Sequence, residues 1–395
     1  MNPVDNPYSP GAGNRPPELA GRDEVMEQSD IMFQRLLARR SIQPMVLVGL
    51  RGVGKTVLLR HMHDTAKKAG FEVVYAEATE GKKLPEILMA GLRKTLLALS
   101  LIEAAKDRAR RSLGALKAFV AGFGLSVGDV SLSYDPTIGI ADSGDLEADL
   151  ADILVEVGEA AVAANKAVII FVDELQILDK QELSALIAAI HRISQEALPV
   201  SFIGAGLPQV LALAGSAKSY AERLFVYPRI DALSEEAAIA AIEHPAAAQG
   251  IKFEADAVSE ILRVTERYPY FLQQWAFCAW NIASDSKKIT WSDVLDATEV
   301  ARSKLDESFF RVRYDRCTPA EKTYMRALAE LGKGTHRSGD VADHLGCDTE
   351  KANQQRASLI KKAMIYAPAH GDVCFTVPMF DEFMRREIPD FIPKG

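Results

Sequence analysis

Short apolar runs alternate with longer amphipathic stretches over the first 230 residues of the chain. The strand-like runs lie at 45–49, 71–78, 167–173, 199–206 and 225–230. The run at 167–173 is continuously apolar, which is typical of a strand buried on both faces of a parallel sheet. Helical patterns occur at about 22–39, 55–68, 82–100, 146–164 and 180–196. This alternation predicts a three-layer α/β domain built on a parallel sheet.

Two later segments depart from this alternation. Residues 119–140 contain two short alternating runs around Gly128 and Asp129, a pattern that predicts an inserted hairpin. After residue 230 the strand signal disappears, and Ser234 is a suitable N-cap for the first of several helices. The predicted helices lie at 235–249, 254–267, 269–283 and 291–312. We therefore expect an all-helical lid domain.

The last part of the chain has a third pattern. Thr318 and Pro319 form an N-cap and first helical position, and shorter helices are predicted at 337–345 and 349–363 around a turn at Gly346. Two short strands follow, at 365–367 and 373–377. Helix, helix, turn, helix and hairpin are the elements of a winged helix-turn-helix, with 349–363 in the position of the recognition helix.

The composition agrees with a globular protein of several domains. Of the 395 residues, 48% are hydrophobic and 25% are charged, which leaves ample material for a core. The length suggests two or three domains of roughly 100–200 residues each. We divide the chain into an extended proline-rich arm (1–17), an α/β core (18–231), the helical lid (232–313) and the carboxyl-terminal module (314–395).

Charge and cysteine usage exclude several classes of protein. A net charge of −8 argues against a generic nucleic-acid coat or a polybasic membrane binder. The amino-terminal segment has Pro and Gly instead of an apolar region, and no apolar run is long enough to span a bilayer. Widely spaced cysteines without a zinc pattern suit a reducing cytoplasm, where we expect the protein to reside. They are Cys278, Cys317, Cys347 and Cys374.

The first chemical motif joins the run at 45–48 to the helix at 55–68. It matches G-x-x-x-x-G-K-[ST], in the strand–loop–helix context that a phosphate-binding loop requires. We expect Lys55 to bind the β- and γ-phosphates of ATP and the Thr56 hydroxyl to bind Mg²⁺. The alternative is a glycine-rich turn without a ligand. The residues predicted to hold the phosphates are Gly49, Leu50, Arg51, Gly52, Val53, Gly54, Lys55 and Thr56.

The second motif ends the apolar run at 167–173. That strand would deliver the Asp173 carboxylate to the carboxyl edge of the sheet, where open α/β folds bind ligands. We expect Asp173 to join the Mg²⁺ shell and Glu174 to accept a proton from the attacking water. Alone, an apolar strand ending in Asp-Glu would be a weak signal, but together with the phosphate loop it predicts a hydrolytic nucleotide site.

With these motifs the chain resembles AAA+ ATPases of the origin-recognition type, closest to their bacterial relatives. The resemblance implies an α/β parallel-sheet P-loop NTPase (AAA+) domain, an α-helical lid and a carboxyl-terminal winged helix-turn-helix domain. Gly21 and Arg22 are similar to an amino-terminal motif of that family that lines the adenine pocket, although Asp23 replaces its Glu. Arg223 lies in a segment similar to the family's arginine-finger segment. The resemblance thus makes Arg223 a catalytic candidate acting in trans, the alternative being a surface ion pair.

Two departures from the family pattern concern hydrolysis. The fourth strand ends in Gly204-Ala205-Gly206, where the family usually carries a polar sensor, so we expect slow hydrolysis or a displaced sensor such as Gln209. The lid reads Glu266-Arg267-Tyr268-Pro269-Tyr270 and is similar to the Gly-x-Pro motif of signal-transduction STAND ATPases. The resemblance places Pro269 at the nucleotide, and Arg267, where Gly would be, faces either the γ-phosphate or solvent.

The carboxyl-terminal module has two candidate roles. From Asp315 onward it carries twelve Lys and Arg against twelve Asp and Glu, so it is not basic overall. The predicted recognition helix is richer in side chains that read bases or bind phosphates. The DNA-contact candidates are Lys351, Gln354, Gln355 and Arg356. Winged helices also dock proteins, and the fold alone does not decide between these roles.

Two functional hypotheses follow. The first is an ATP-dependent, self-associating AAA+ switch whose winged helix contacts double-stranded DNA or a protein partner. The second is a STAND-like signalling scaffold that binds ATP, hydrolyses it slowly and docks protein. Steady hydrolysis stimulated by duplex DNA would favour the first, and tight nucleotide retention indifferent to DNA would favour the second.

Overall fold

The computed structural model describes residues 1–11, 13–124, 137, 139–284 and 287–392. These residues form two compact units. The sheet unit comprises Arg22–Gly49 and Lys55–Ile230. The helical unit comprises Met1–Gly21, Leu50–Gly54 and Asp231–Gly395.

The sheet unit is built on four parallel strands in the order β1-β4-β3-β2. The strands are β1 (Met45–Val48), β2 (Glu72–Glu77), β3 (Val168–Asp173) and β4 (Val200–Gly206). All residues of β3 are buried, as the apolar run at 167–173 predicts, and all residues of β4 are buried as well. The run at 225–230 forms only isolated parallel bridges to β1, at Met45–Val226 and Val48–Arg229.

Eight helices accompany these strands among the described residues of the sheet unit. They are α1 (Asp23–Leu37), α2 (Lys55–Lys68), α3 (Leu84–Ser100), α4 (Lys106–Gly122), α5 (Leu146–Ala163), α6 (Lys180–Gln195), α7 (Gln209–Ala217) and α8 (Ala221–Leu224). Val168, Ile170 and Val172, alternate residues of β3, join the core with α3 to α7. Asp179 begins α6 with a capping box that includes Glu182.

The predicted hairpin at 119–140 is wrong in the part that the structure describes. Phe119–Gly122 form the last turn of α4, a helix that the apolar pattern did not reveal. Phe119 and Val120 are buried against neighbouring helices, so a run of consecutive apolar residues here marks a buried helix end. Periodicity cannot separate these two cases in so short a run. Residues 125–136 and 138 lie outside the described part of the chain.

The helical unit begins with the predicted lid. Its elements are α9 (Glu235–Ala248), β5 (Lys252–Phe253), α10 (Ala255–Thr265), α11 (Pro269–Ile282), β6 (Lys288–Ile289), α12 (Trp291–Lys304) and α13 (Arg311–Tyr314). The lid is not entirely helical, because β5 and β6 form a short parallel pair. Two-residue strands leave no periodic signal in a sequence. A π-helical segment, Leu305–Phe310, interrupts the helix predicted at 291–312.

The carboxyl-terminal elements follow the predicted order with two additions. They are α14 (Pro319–Glu330), β7 (His336–Arg337), α15 (Ser338–Leu345), α16 (Thr349–Lys361), β8 (Ile365–Tyr366), β9 (Asp372–Phe375) and α17 (Phe380–Glu387). The strands pair antiparallel in the order β7-β9-β8. The turn between α15 and α16 uses Gly346 in a left-handed conformation, at φ 62°. The sequence pattern did not predict β7 and α17.

The amino-terminal arm is held against the lid helices of its own unit. The Met1 ammonium donates a hydrogen bond of 2.7 Å to the carbonyl oxygen of Ala283. Tyr8 is only 2% exposed, and its hydroxyl donates to the carbonyl oxygen of Ile242. The proline-rich segment predicted as an extended arm is therefore anchored at both ends of its first eight residues.

Candidate nucleotide site

The predicted phosphate loop connects β1 to α2. Gly52 and Gly54 adopt φ angles of +86° and +91°, a region that glycine enters without steric cost. Lys55 and Thr56 are the first two residues of α2, where free N–H groups and the helix dipole favour an anion. Lys55 is 8% exposed, so its ammonium lies in a sheltered environment. Loop and helix start have the local geometry that phosphate binding requires.

Residues Leu50–Gly54 of this loop contact other parts of the helical unit. The Tyr270 N–H donates to the Gly52 carbonyl oxygen over 3.2 Å, and the Arg51 N–H donates to the Thr376 carbonyl oxygen over 3.2 Å. A Cβ atom added to Gly52 would lie 3.3 Å from the Tyr270 Cβ atom. Glycine is thus required at Gly52 for its backbone conformation and favoured there by this close approach.

Asp173 ends β3 and meets the start of α2. Its carboxylate accepts a hydrogen bond from the Thr56 hydroxyl, and the Lys55 ammonium lies close enough to attract it. Asp173 is 1% exposed. Burial outweighs these favourable contacts and raises the pKa of Asp173 above its ordinary value. The structure therefore brings together Lys55, Thr56 and Asp173, as the two motifs predict.

This arrangement fits a magnesium ion. The Thr56 hydroxyl and the Asp173 carboxylate are hard oxygen donors, which Mg²⁺ prefers together with phosphate oxygens. A buried carboxylate that is costly to ionise is stabilised by a nearby cation. Within the described ranges, no cluster of three or more His, Cys, Asp or Glu residues could hold a metal by itself. Thr56 and Asp173 are thus the candidate protein ligands.

Glu174 follows Asp173 in an uncommon backbone conformation. Its φ of +56° lies in the left-handed region, which costs a non-glycine residue about 1–2 kcal/mol. The Glu174 N–H donates 2.8 Å to Asp173 Oδ1. The Glu174 carboxylate accepts a hydrogen bond from Gln176 Nε2. Strained backbone of this kind clusters at functional sites, and here it turns the chain sharply after β3.

The glycines at the end of β4 have a structural cause. A Cβ atom on Gly204 would overlap Leu175 Cδ1, and one on Gly206 would lie 3.2 Å from Gln176 Oε1. The 3₁₀ turn Leu175–Ile177 therefore occupies the space that a sensor side chain from β4 would need. The glycines are visible in the sequence, but nothing local in the sequence indicates that Gln176 lies beside them.

Gln209, the alternative sensor candidate, is the first residue of α7. Its Oε1 atom is buried and has no hydrogen-bond partner among the described residues. By contrast, both ends of the Gln176 side-chain amide are bonded, because its Oε1 also accepts from the Leu207 N–H over 2.9 Å. The described contacts thus connect Gln176, and not Gln209, to Glu174.

The other residues that the sequence predicts near the nucleotide are Gly21, Arg22, Arg267 and Pro269. Gly21 has a φ of +64°, and a Cβ atom there would lie 2.7 Å from the Ala237 Cβ atom. Arg22 precedes α1, and Pro269 begins α11. Arg267 is exposed with a φ of +59°, a conformation that explains why a related lid motif would use glycine there.

Arg223 lies on the short helix α8 and is exposed. Its carbonyl oxygen accepts a hydrogen bond of 3.0 Å from Gln43 Nε2, which holds the backbone in place. Among the described residues, no carboxylate is within ion-pair distance of its guanidinium. Its role as a finger stays a prediction.

The DNA-contact candidates on α16 differ in their surroundings. Lys351 and Gln354 are exposed, and Gln355 is half-buried. Arg356 is also half-buried, and its guanidinium donates 3.0 Å to the Asp372 carbonyl oxygen on β9. Arg356 therefore stabilises its own domain in this conformation, a role that the sequence did not indicate.

A parallel sheet with a phosphate loop after β1, and with Asp173 at the end of β3 followed by Glu174, defines a P-loop ATPase fold of the AAA+ type. Residues 18–203 match the family model of the AAA ATPase domain. Residues 307–384 match a domain of unknown function, DUF8462. The first match supports ATPase activity in general, and no curated protein matches the chain.

Two solved structures are similar over nearly the whole chain. The Walker-type ATPase PABY2304 of Pyrococcus abyssi is 15% identical, with 93% of this chain and 96% of that chain covered and a TM-score of 0.56. The ADP form of the Aeropyrum pernix ORC2 protein is 14% identical, with 96% and 97% covered and a TM-score of 0.52. At these identities the likeness shows the fold. None of the described helices has the length and apolar character to cross a membrane.

Proposed function

We propose that the protein is a Mg²⁺-dependent ATPase that works as a nucleotide-driven switch, with a winged-helix domain that contacts DNA. The observation that carries the ATPase proposal is the meeting of Lys55, Thr56 and Asp173 in the sheet unit, with Glu174 adjacent. These four residues supply a phosphate-binding cation, two metal-binding oxygens and a base. Hydrolysis of a phosphoanhydride depends mainly on positioning and on stabilisation of charge, which these groups begin to supply.

Each side chain has a defined task in this proposal. The Lys55 ammonium and the N-terminal N–H groups of α2 bind the β- and γ-phosphates. Thr56 and Asp173 hold Mg²⁺, which would neutralise charge on the phosphate oxygens. The Glu174 carboxylate accepts a proton from the water that attacks the γ-phosphate. We propose slow turnover, because the carboxyl end of β4, Gly204 to Gly206, contributes no polar side chain.

The switch proposal rests on the carboxyl-terminal elements. Helix α15, the Gly346 turn and α16 form a helix–turn–helix, and the antiparallel β8–β9 pair follows as a wing. Lys351 and Gln354 are exposed on α16, where they are free to reach phosphates or base edges. We also propose ATP-promoted self-association, because the family resemblance makes the exposed Arg223 a finger for the nucleotide of a neighbouring subunit.

A second candidate function is a STAND-like scaffold that binds ATP, hydrolyses it slowly and docks protein. Two observations favour it. The carboxyl-terminal module has balanced charge, and Arg356, the strongest guanine-reading candidate, is bonded to Asp372 within the module. A protein-docking winged helix needs no surplus of cations.

The ATPase proposal is tested by calorimetry and turnover. Lys55→Ala should abolish ATP binding, whereas Lys67→Ala, an exposed lysine near the end of the same helix, should bind like the parent. Glu174→Gln should bind ATP and fail to hydrolyse it, because an amide cannot accept the proton. Equal ATP affinity in Lys55→Ala and the parent would contradict the assignment of residues 49–56 as the phosphate loop.

Turnover with duplex DNA separates the two functions. Hydrolysis that rises with DNA favours the switch. Tight nucleotide retention that is indifferent to DNA favours the scaffold.

A further inference from the structure

We propose that Gln176 is the positioning residue of hydrolysis, which holds the Glu174 carboxylate and replaces the polar side chain that the carboxyl end of β4 lacks. This inference rests on the proposed ATPase function. It assigns a task to a residue that neither motif contains, two positions after the base.

The hydrogen bonds fix the orientation of the Gln176 amide. A backbone N–H can only donate, so the atom that faces Leu207 must be the carbonyl oxygen Oε1, at 2.9 Å from the Leu207 nitrogen. The Nε2 group then faces Glu174 and donates to its Oε2. An ionised carboxylate can accept hydrogen bonds but cannot donate them. If the Gln176 amide were flipped, two acceptors would face each other at Glu174 and two donors at Leu207, so the flipped orientation is unfavourable. The amide therefore links the base to the end of β4.

The glycines of β4 make this link possible. A Cβ atom on Gly206 would lie 3.2 Å from Gln176 Oε1, and one on Gly204 would overlap Leu175. A side chain at Gly204 would require Leu175 to move, and one at Gly206 would press on the Gln176 amide. The Gln176 amide thus packs against the glycines at the position where β4 would otherwise carry a sensor side chain.

The link has a consequence for catalysis. The Nε2 donor holds Oε2 of Glu174, which leaves Oε1 of the same carboxylate to accept the proton of the attacking water. A carboxylate held by a charge-assisted hydrogen bond loses little freedom on going to the transition state. Gln176 itself touches no reacting atom in this scheme, so it acts through Glu174.

The test compares Gln176→Met, which keeps the side-chain length and removes both hydrogen bonds, with Gln209→Met as the matched control. Gln176→Met should lower kcat by about 10–100-fold, as loss of a positioning partner typically does. The KM and the calorimetric Kd for ATP should stay close to those of the parent. Gln209→Met should retain the parental kcat.

A second variant separates positioning from packing. Gln176→Glu keeps the shape and an oxygen that can accept from the Leu207 N–H, but it removes the Nε2 donor to Glu174. Its kcat should fall as in Gln176→Met, while the calorimetric Kd for ATP stays close to that of the parent. If Gln176 served only to pack the turn through Leu207, Gln176→Glu would retain the parental kcat.

The outcomes are distinct. A parental kcat in Gln176→Met, or a larger loss of kcat in Gln209→Met, would overturn the positioning role of Gln176. The ATPase function would still be upheld in that case if Glu174→Gln abolishes turnover. A parent chain without Mg²⁺-dependent turnover would overturn both.

Discussion

The hydroxyl of Thr56, on the first turn of α2, donates a hydrogen bond to the carboxylate of Asp173 at the end of β3. This bond joins the two motifs of the nucleotide site across the sheet edge. Asp173 is nevertheless 1% exposed, and burial raises its pKa. The fold thus holds a buried carboxylate whose charge is costly and would be stabilised by a nearby cation.

Replacing Asp173 with Asn should stabilise the ligand-free protein while removing function. Asn keeps an oxygen for the Thr56 hydroxyl but carries no buried charge. We expect the free energy of unfolding at pH 7 to rise by about 0.5–2 kcal/mol, the usual gain at such sites. Mg²⁺-dependent turnover should be lost. Thermal unfolding without nucleotide and a turnover assay check both effects, and a lower melting temperature would contradict the prediction.

The same residue predicts a pH dependence. Because its folded-state pKa is raised above 3.8, the folded protein binds more protons than the unfolded chain above that pH. The contribution of Asp173 to stability is therefore fully present below 3.8 and is lost as the pH rises through the folded-state pKa. Asp173→Asn should remove this component from the stability-versus-pH curve. Curves of identical shape for parent and variant would refute the raised pKa.

Glu321 predicts the opposite pH dependence. Burial disfavours its charged form, but hydrogen bonds from Lys362 Nζ (2.7 Å), Ser358 Oγ (2.6 Å) and the Thr318 N–H (2.7 Å) outweigh burial and lower the pKa of Glu321 to about 2. Its stabilising contribution is present above the ordinary pKa of 4.5 and is lost as the pH falls toward 2.

Glu321→Gln should therefore lower the free energy of unfolding by about 2–3 kcal/mol at pH 7 and by much less near pH 3. Denaturant unfolding at the two pH values measures the difference. Glu350→Gln, which changes an exposed glutamate on α16, serves as the control and should have little effect at either pH. A pH-independent loss in Glu321→Gln would show that the charge is not responsible.

Under the proposed function, Arg223→Ala should retain ATP binding and lose hydrolysis by a factor on the order of 10³. Mixing Arg223→Ala with Glu174→Gln subunits should restore part of the activity, because one kind of interface then carries both intact groups. Arg229→Ala, which changes another exposed arginine of the same segment, is the control. If the mixture stays inactive while both variants still assemble, Arg223 does not act in trans.

The two basic candidates of α16 should behave differently. Under the proposed DNA contact, the exposed Lys351 binds a phosphate, so Lys351→Ala should weaken duplex DNA binding and reduce the salt dependence of log K by about one unit. Arg356→Ala should instead destabilise the carboxyl-terminal domain, because Arg356 bonds to the Asp372 carbonyl oxygen. Filter binding over a salt series and thermal unfolding distinguish the two. No salt-dependent retention of any duplex would place the domain in the protein-docking class.

Local sequence was sufficient for the elements whose causes are local. The phosphate loop was recognisable because its glycines and Lys55 occur at fixed spacing between a strand and a helix. The buried strand β3 was recognisable because its first five residues, Val168 to Val172, are all apolar. The helix start at Thr318 was recognisable because capping chemistry acts within one turn. The same signals placed Asp173 and Glu174 at the edge of the sheet.

Tertiary structure decided what depends on residues distant in sequence. Gln176 lies beside Glu174 because its amide accepts a hydrogen bond from the Leu207 N–H, 31 residues away in the sequence. The glycine at Gly206 has no side chain that would crowd this amide. The Arg356 guanidinium donates a hydrogen bond to the Asp372 carbonyl oxygen of β9, a contact that the sequence could not indicate. The apolar run at the carboxyl end of α4 predicted a strand, whereas the structure shows a helix end packed against neighbouring helices. Periodicity and spacing report how a segment folds, whereas the partner of a side chain is determined by the packing of the whole unit.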